Sequence, residues 1–306
     1  MVAIRNSETH ESSKLLFYLA GLIAVSAWGA SFISTKVLLN NGLNSVEIYI
    51  YRFVLAYLLV FIVCPKPLFC HCWADEFKFM LCGLCGGSIY FIAENTAVMY
   101  TLVGNVSLIT SMSPIFTALL LGLFYKNEKV NKGMITGSVV AFLGVACVIF
   151  NSSVVIKMNP LGDLLALLAT VSWAVYTILL RPLNATYSVW FVSRKTFFYG
   201  VLTAIPFLAF ETHSAPFSTL LIPEVWGNLL FLGLFCSAAA YLLWALIVKN
   251  LGTITASNFM YLQPVVTLIL SALILSEHVT WIGYMGCALI LIGLMASDYL
   301  GRKWTK

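Results

Sequence analysis

A chain of 306 residues that is 61% hydrophobic and only 9% charged, with a mean hydropathy of +0.95, lies far from soluble domains, in which roughly a quarter of residues carry charge. This excludes a water-soluble enzyme and defines an all-α integral membrane protein. The net charge of +5 does not point to nucleic acid, because Lys and Arg placement in a membrane protein reports orientation.

Ten apolar runs of about 20 residues, the length that crosses roughly 30 Å of hydrocarbon, lie at 15–37, 46–64, 78–101, 105–125, 133–151, 161–181, 186–209, 226–248, 254–275 and 280–299. The first is longer than the apolar part of a signal peptide and nine more follow, so it is read as a retained span despite its small residues "SAWGA". Residues 1–14 and 300–306 are read as tails. With the amino terminus inside, twelve basic residues face the cytoplasm (Arg5, Lys14, Lys66, Lys78, Lys126, Lys129, Lys132, Arg181, Lys249, Arg302, Lys303 and Lys306) and two, Lys36 and Lys157, face outward. Both termini are therefore expected in the cytoplasm.

In the first run, Trp28, Ser31 and Thr35 share a helical face, and Trp28 sits well inside the span rather than at an interfacial belt. It either packs against a neighbouring helix beside Gly29 and Ala30 or lines a cavity. In the second run Arg52 lies about a turn and a half from the outer end, where snorkelling or pairing with Glu47 explains it without a functional role. The "CHC" at 70–72 falls in an inner loop that the cytosol keeps reduced, with no second pair at zinc spacing, so neither a metal nor a disulfide is expected. The third run contains "FIAENTAVMY" (91–100). An ionised carboxylate facing lipid is costly, so Glu94 is expected to face protein or a wet cavity. Gly87, Tyr90, Glu94, Ala97 and Thr101 form one small and polar stripe, and Asn95 adds an amide. Glu94 is either a structural partner of Arg52 or another donor, or a substrate or proton group.

The fourth run carries Pro114 near mid-span behind Ser107, Thr110, Ser111 and Ser113, so the helix is expected to bend where proline removes a backbone donor. In the sixth run Trp173, Tyr176 and Thr177 repeat the pattern of the first. Arg194 and Lys195 in the seventh are expected to reach headgroups at the inner end. The eighth places Ser237, Tyr241 and Trp244 on one face, and the ninth sets Asn258, Tyr261 and Gln263 before Pro264.

These patterns recur because the chain is a repeat. "SAWGASFISTK" (26–36) and "VSWAVYTILLR" (171–181) each place a Trp eight residues before a closing basic residue, at an offset of 145 residues; "SLITSMSPIFTALLLGL" (107–123) overlays "SNFMYLQPVVTLILSAL" (257–273) at an offset of 150. Glu128 and Glu277 close the two units, and Gly137 and Gly144 are spaced like Gly286 and Gly293. Ten spans thus divide into two five-helix repeats, 15–151 and 161–299. Five being odd, the second copy is inverted, an arrangement suited to alternating access.

The order of "WGASF", "YRF", "GTITASNFMYLQPVVTLILSALILSE" and "GYMGCALILIGL" resembles the EamA family of the drug/metabolite transporter superfamily over nearly the whole chain. The resemblance implies a polytopic inner-membrane carrier, mostly bacterial, that exports amino acids or related metabolites. The chain departs from its own repeat at "SRK" (193–195), where a second "YRF" is due, and at Trp244, which stands where a partner of Glu94 is due.

An intramembrane enzyme would need a nucleophile with its base or converging metal ligands. His10, His71, His213 and His278 all lie in tails or loops, there is no HExxH or GxSxG, and no GxxxxGK[ST] loop supports a nucleotide-driven pump. A channel or receptor is the residual alternative. The expected function is a secondary exporter or facilitator of small amphipathic metabolites, amino acids foremost, with a drug or nucleotide-sugar carrier as runner-up. The expected substrate-binding set is Trp28, Ser31, Tyr90, Glu94, Asn95, Ser111, Trp173, Tyr176, Tyr241, Trp244, Asn258, Tyr261 and Gln263, with helix kinks at Pro114 and Pro264 and with no metal or cofactor. The expected partners are the lipid bilayer of a bacterial inner membrane, a small-molecule substrate and protons, and not nucleic acid.

Overall fold

Long apolar segments in hydrocarbon must satisfy their backbone groups internally, and helices do so. The computed structural model describes residues 2–65, 68–70, 72–101, 103–125, 132–150, 159–211, 214–274 and 281–303. His71, Glu128 and Glu277 lie outside the described residues. The spans are α1 (Val2–Asn40), α2 (Ser45–Val63), α3 (Trp73–Tyr100), α4 (103–124), α5 (Lys132–Phe150), α6 (Pro160–Thr186), α7 (Val189–Leu208), α8 (Pro223–Leu251), α9 (253–274) and α10 (Trp281–Lys303). Among the described residues there are no strands. Five uninterrupted helices are long and apolar enough to cross a membrane: Leu15–Asn40, α2, α3, α6 and α8. α6 runs past Arg181 through Pro182 to Thr186, and α3 begins at Trp73, ahead of Lys78.

The two halves carry the same irregularities at matching places. α3 contains a π-helical segment at Leu84–Ser88, and α8 contains one at Phe231–Ala239. α4 breaks into Val103–Thr110 and Ser113–Phe124, while α9 breaks into Thr253–Asn258, a 3-10 turn at Phe259–Leu262 and Gln263–Ile274. Pro114 follows the first break directly, and Pro264 follows the second. In α4 the hydroxyls of Thr110 and Ser111 donate back to the Ser107 carbonyl at 3.1 and 2.6 Å.

Inversion is visible where α5 meets α10. A Cβ added at Gly144 would lie 2.6 Å from the Ile290 nitrogen and 2.7 Å from the Gly286 oxygen; one added at Gly293 would lie 2.7 Å from the Gly137 oxygen. The glycines that correspond in sequence therefore face each other reciprocally, as a two-fold axis in the membrane plane requires, and small residues let the backbones approach. A second close approach joins α3 to α7, where a Cβ at Gly83 would lie 2.5 Å from the Gly200 nitrogen. Asn44 and Glu47 form a capping box at the start of α2, with Asn44 Oδ1 accepting from the Glu47 amide at 2.8 Å and Glu47 Oε2 accepting from the Asn44 amide at 3.0 Å.

Candidate functional site

At the centre, equivalent helices of the two repeats contribute to one aromatic box. The ring centroid of Trp28 (α1) lies 5.1 Å from that of Trp173 (α6) and 5.4 Å from that of Trp244 (α8), and Trp173 lies 5.7 Å from Trp244. Tyr241 joins at 5.6 Å from Trp173 and 6.1 Å from Trp28, and Tyr176 and Tyr90 each approach Trp173 to 5.0 Å. Most of these contacts are edge-on or tilted, the arrangement that ring quadrupoles favour. All six residues are buried. Trp173 Nε1, Trp244 Nε1 and Tyr176 Oη have no hydrogen-bond partner among the described residues, whereas buried polar groups ordinarily have one.

The π segments face this box and are stitched to the opposite repeat. Widening a helix to an i→i+5 pattern disturbs its regular hydrogen bonding, and such bulges are frequent at functional sites. Here the carbonyls are taken up by side chains. Trp28 Nε1 donates to the Cys236 carbonyl at 2.8 Å, Ser172 Oγ donates to the Cys85 carbonyl at 2.7 Å, and Tyr241 Oη donates to the Gly86 carbonyl. Ser172 adjoins Trp173, the counterpart of Trp28, so the first two bonds are related by the internal symmetry.

Glu94 (α3) sits at the edge of the box, 5% exposed, and Tyr90 Oη donates to its Oε1 at 2.8 Å. No Lys or Arg nitrogen lies within 4.0 Å of its carboxylate among the described residues. The structure brings together Trp28, Tyr90, Glu94, Trp173, Tyr176, Tyr241 and Trp244 of the expected set. The remaining members lie elsewhere. Asn95 points to α2, donating to the Ser45 carbonyl at 3.1 Å; Ser31 and Ser111 bond back to carbonyls of their own helices. Asn258, Tyr261 and Gln263 are buried along α9, which leans on α1 where Thr267 Oγ1 donates to the Gly29 carbonyl at 3.1 Å.

Three basic residues differ from their sequence reading. Arg52 does not pair with Glu47 or reach the surface: it is fully buried, its Nε donates to Ser237 Oγ at 2.8 Å, and its guanidinium lies 4.1 Å from the Phe91 ring centroid. The physical reason is that Glu47 is already engaged, by the α2 cap and by the hydroxyl of Ser214 and the amide of Ala215. Arg194 and Lys195 do not extend to headgroups. Arg194 donates to the Cys64 carbonyl, and Lys195 is ion-paired with Glu76, which also accepts from Tyr199.

The two ends of the box differ. Toward the end of α3, Lys36 Nζ donates to the Val98 carbonyl at 3.4 Å, Thr101 Oγ1 donates to Asp163 Oδ1 at 3.2 Å, and a Cβ at Gly162 would lie 2.9 Å from Thr101. Toward the end of α6 and α8 there is instead a cavity of about 570 Å³, lined among others by Arg181, Asn184, Val248, Lys249 and Thr255. Gly252 (φ +86) turns the chain there directly from α8 into α9.

Two inverted five-helix units that share a buried aromatic box define a multi-pass membrane transporter, working in a lipid bilayer on a small-molecule substrate. The EamA-like transporter family model matches residues 15–150 and again 160–297, and the chain belongs to that family, within the drug/metabolite transporter superfamily. It is 29% identical over 274 residues to an "Uncharacterized transporter" of Archaeoglobus fulgidus, covering 89% of this chain and 95% of that one. It is 25% identical over 298 residues to a protein of Escherichia coli K12 named "Probable amino-acid metabolite efflux pump", covering 93% and 95%. A crystal structure with 18% identity superposes at a TM-score of 0.74, covering 94% of this chain and 98% of that one, a likeness of fold.

Proposed function

We propose that this transporter exports small amphipathic amino acids or their metabolites across a bacterial inner membrane, with both termini in the cytoplasm. The observation that carries the reading is the box itself: three tryptophans and three tyrosines from both repeats, in which the indoles of Trp173 and Trp244 and the phenol of Tyr176 have no partner among the described residues, adjoining one carboxylate. Indole faces stack on apolar side chains and attract cations, and Glu94 supplies the negative pole for an ammonium. In this reading the cavity beside Arg181 and Lys249 is the cytoplasmic approach to the box. Its volume is within the roughly 300–1,000 Å³ of small-molecule sites, and its two cations favour carboxylates. The contacts at Lys36, Thr101 and Asp163 close the outer end. Glu94 serves as the amine site, and in a coupled cycle it exchanges that ammonium for a proton.

The test is uptake of a labelled amino-acid panel into proteoliposomes, with and without a pH gradient. Saturable transport of at least one apolar amino acid is expected. Transport confined to nucleotide sugars or to bulky cationic drugs would replace this reading with the drug or nucleotide-sugar one.

A further inference from the structure

Arg52 is a buried charge without a carboxylate partner among the described residues. Its Nη2 has no hydrogen-bond partner, and no carboxylate oxygen lies within 4.0 Å of it among the described residues. Lys195, buried as deeply, has Glu76. A guanidinium is always charged and presents its donors as a rigid fork matched to carboxylates, and a buried charge is tolerated at low cost only when paired. Holding α2 to Ser237 in the π segment of α8 uses one N–H, and stacking on Phe91 uses one face of the ion. A purely structural role leaves Nη2 unused among the described residues.

Its position is next to the aromatic box. Phe91, over which it lies, is 4.7 Å from the Tyr90 ring, and Tyr90 in turn holds Glu94. Phe91 and Glu94 are three residues apart on α3 and so share a face. Arg52 thus stacks on Phe91, Phe91 packs against Tyr90, and Tyr90 holds Glu94, so a cation and a carboxylate are joined through two neighbouring rings.

We propose that Arg52 is a substrate-binding residue that takes the carboxylate of a zwitterion whose ammonium is held by Glu94. The inference rests on the amino-acid reading above and adds to it that both charged groups of the substrate are required.

Binding to the purified full chain, followed by fluorescence of the box tryptophans, tests it with three probes made from one transported amino acid: the acid itself, its α-amide and its decarboxylated amine. In the wild type the amide and the amine are expected to bind about tenfold or more weakly than the acid, the loss of one charge-assisted contact. Arg52→Gln is expected to weaken the acid by a similar factor while leaving the amine within about twofold. Equal weakening of all three probes in Arg52→Gln, or wild-type protein that binds amide and acid alike, would overturn the proposal and leave the amino-acid reading standing. If Arg52→Gln does not fold, the wild-type comparison of acid with amide decides alone. Failure of every amino acid to bind the wild type would remove both readings together.

Discussion

Replacing Glu94 by glutamine keeps the volume and the acceptor that Tyr90 uses at 2.8 Å, so the fold has little to lose. A neutral hydrogen bond contributes about 1 kcal/mol, and stability should change by no more than that. Substrate has more at stake. An ammonium held by a buried carboxylate makes a charge-assisted bond of roughly 1.5 to 3 kcal/mol, and because each 1.4 kcal/mol is tenfold, transport at low substrate should fall by about 10- to 150-fold. The assay is the initial rate of uptake into proteoliposomes at subsaturating substrate, beside a thermal melt of the same preparation. A substrate lacking the amine serves as internal control and should be affected little. If Glu94 also carries the coupled proton, the variant loses its response to a pH gradient and keeps exchange. Unchanged uptake at normal expression would refute the reasoning and make this carboxylate a structural partner of Tyr90.

Trp173→Phe removes an indole donor that has no partner among the described residues, so it should lower transport while the melting temperature stays close to wild type. Trp28→Phe breaks the bond to the Cys236 carbonyl and should cost about 1 kcal/mol of stability as well; equal and proportionate losses in both variants would mean that the tryptophans only pack. Gly200→Leu forces a side chain to within 2.5 Å of the Tyr49 hydroxyl, and overpacking of this kind should destabilise by about 1 to 3 kcal/mol, read as a lower melting temperature. Single cysteines at Asn40 and Ser214 should label from outside the cell and those at positions 127 and 305 should not; outside labelling at 305 would refute the ten-span orientation.

The spans, the repeat and most of the box were legible because each depends on local periodicity. Trp28 and Trp173, or Tyr90 and Glu94, fall on one face by helical spacing alone, and matching positions in two repeats meet at the axis between them. Arg52, Arg194 and Lys195 were not legible, since their roles depend on residues far away in the chain. Nothing near Lys195 in sequence announces Glu76, and Arg52 looked ordinary while Glu47 was free to be its partner. The hydroxyls of Ser31 and Ser111 were hard to place for the opposite reason: a serine on a helix has a carbonyl one turn back, and both donate to that local acceptor here. The π segments left no sign in composition, although the paired glycines 86 and 87 sit inside the first.

The π segment of α3 also sets the direction in which its carboxylates look. About five turns of regular helix separate Glu76 from Glu94, which would point both residues the same way. They do not serve the same neighbour: Glu76 meets Lys195 on α7, while Glu94 lies with Tyr90 at the box against α6. The five residues Leu84–Ser88 wind more slowly than the helix on either side, so the outer half lags by up to about 100°, the rotation of one residue. Winding these five residues regularly without changing the chain length would turn Glu94 to the side of Glu76, toward α7 and away from the tryptophans, whereas deleting one residue as well would leave its direction unchanged. The one extra residue that the wide segment takes up thus sets the aim of the carboxylate proposed to hold the substrate amine, with no alteration of any side chain in the box.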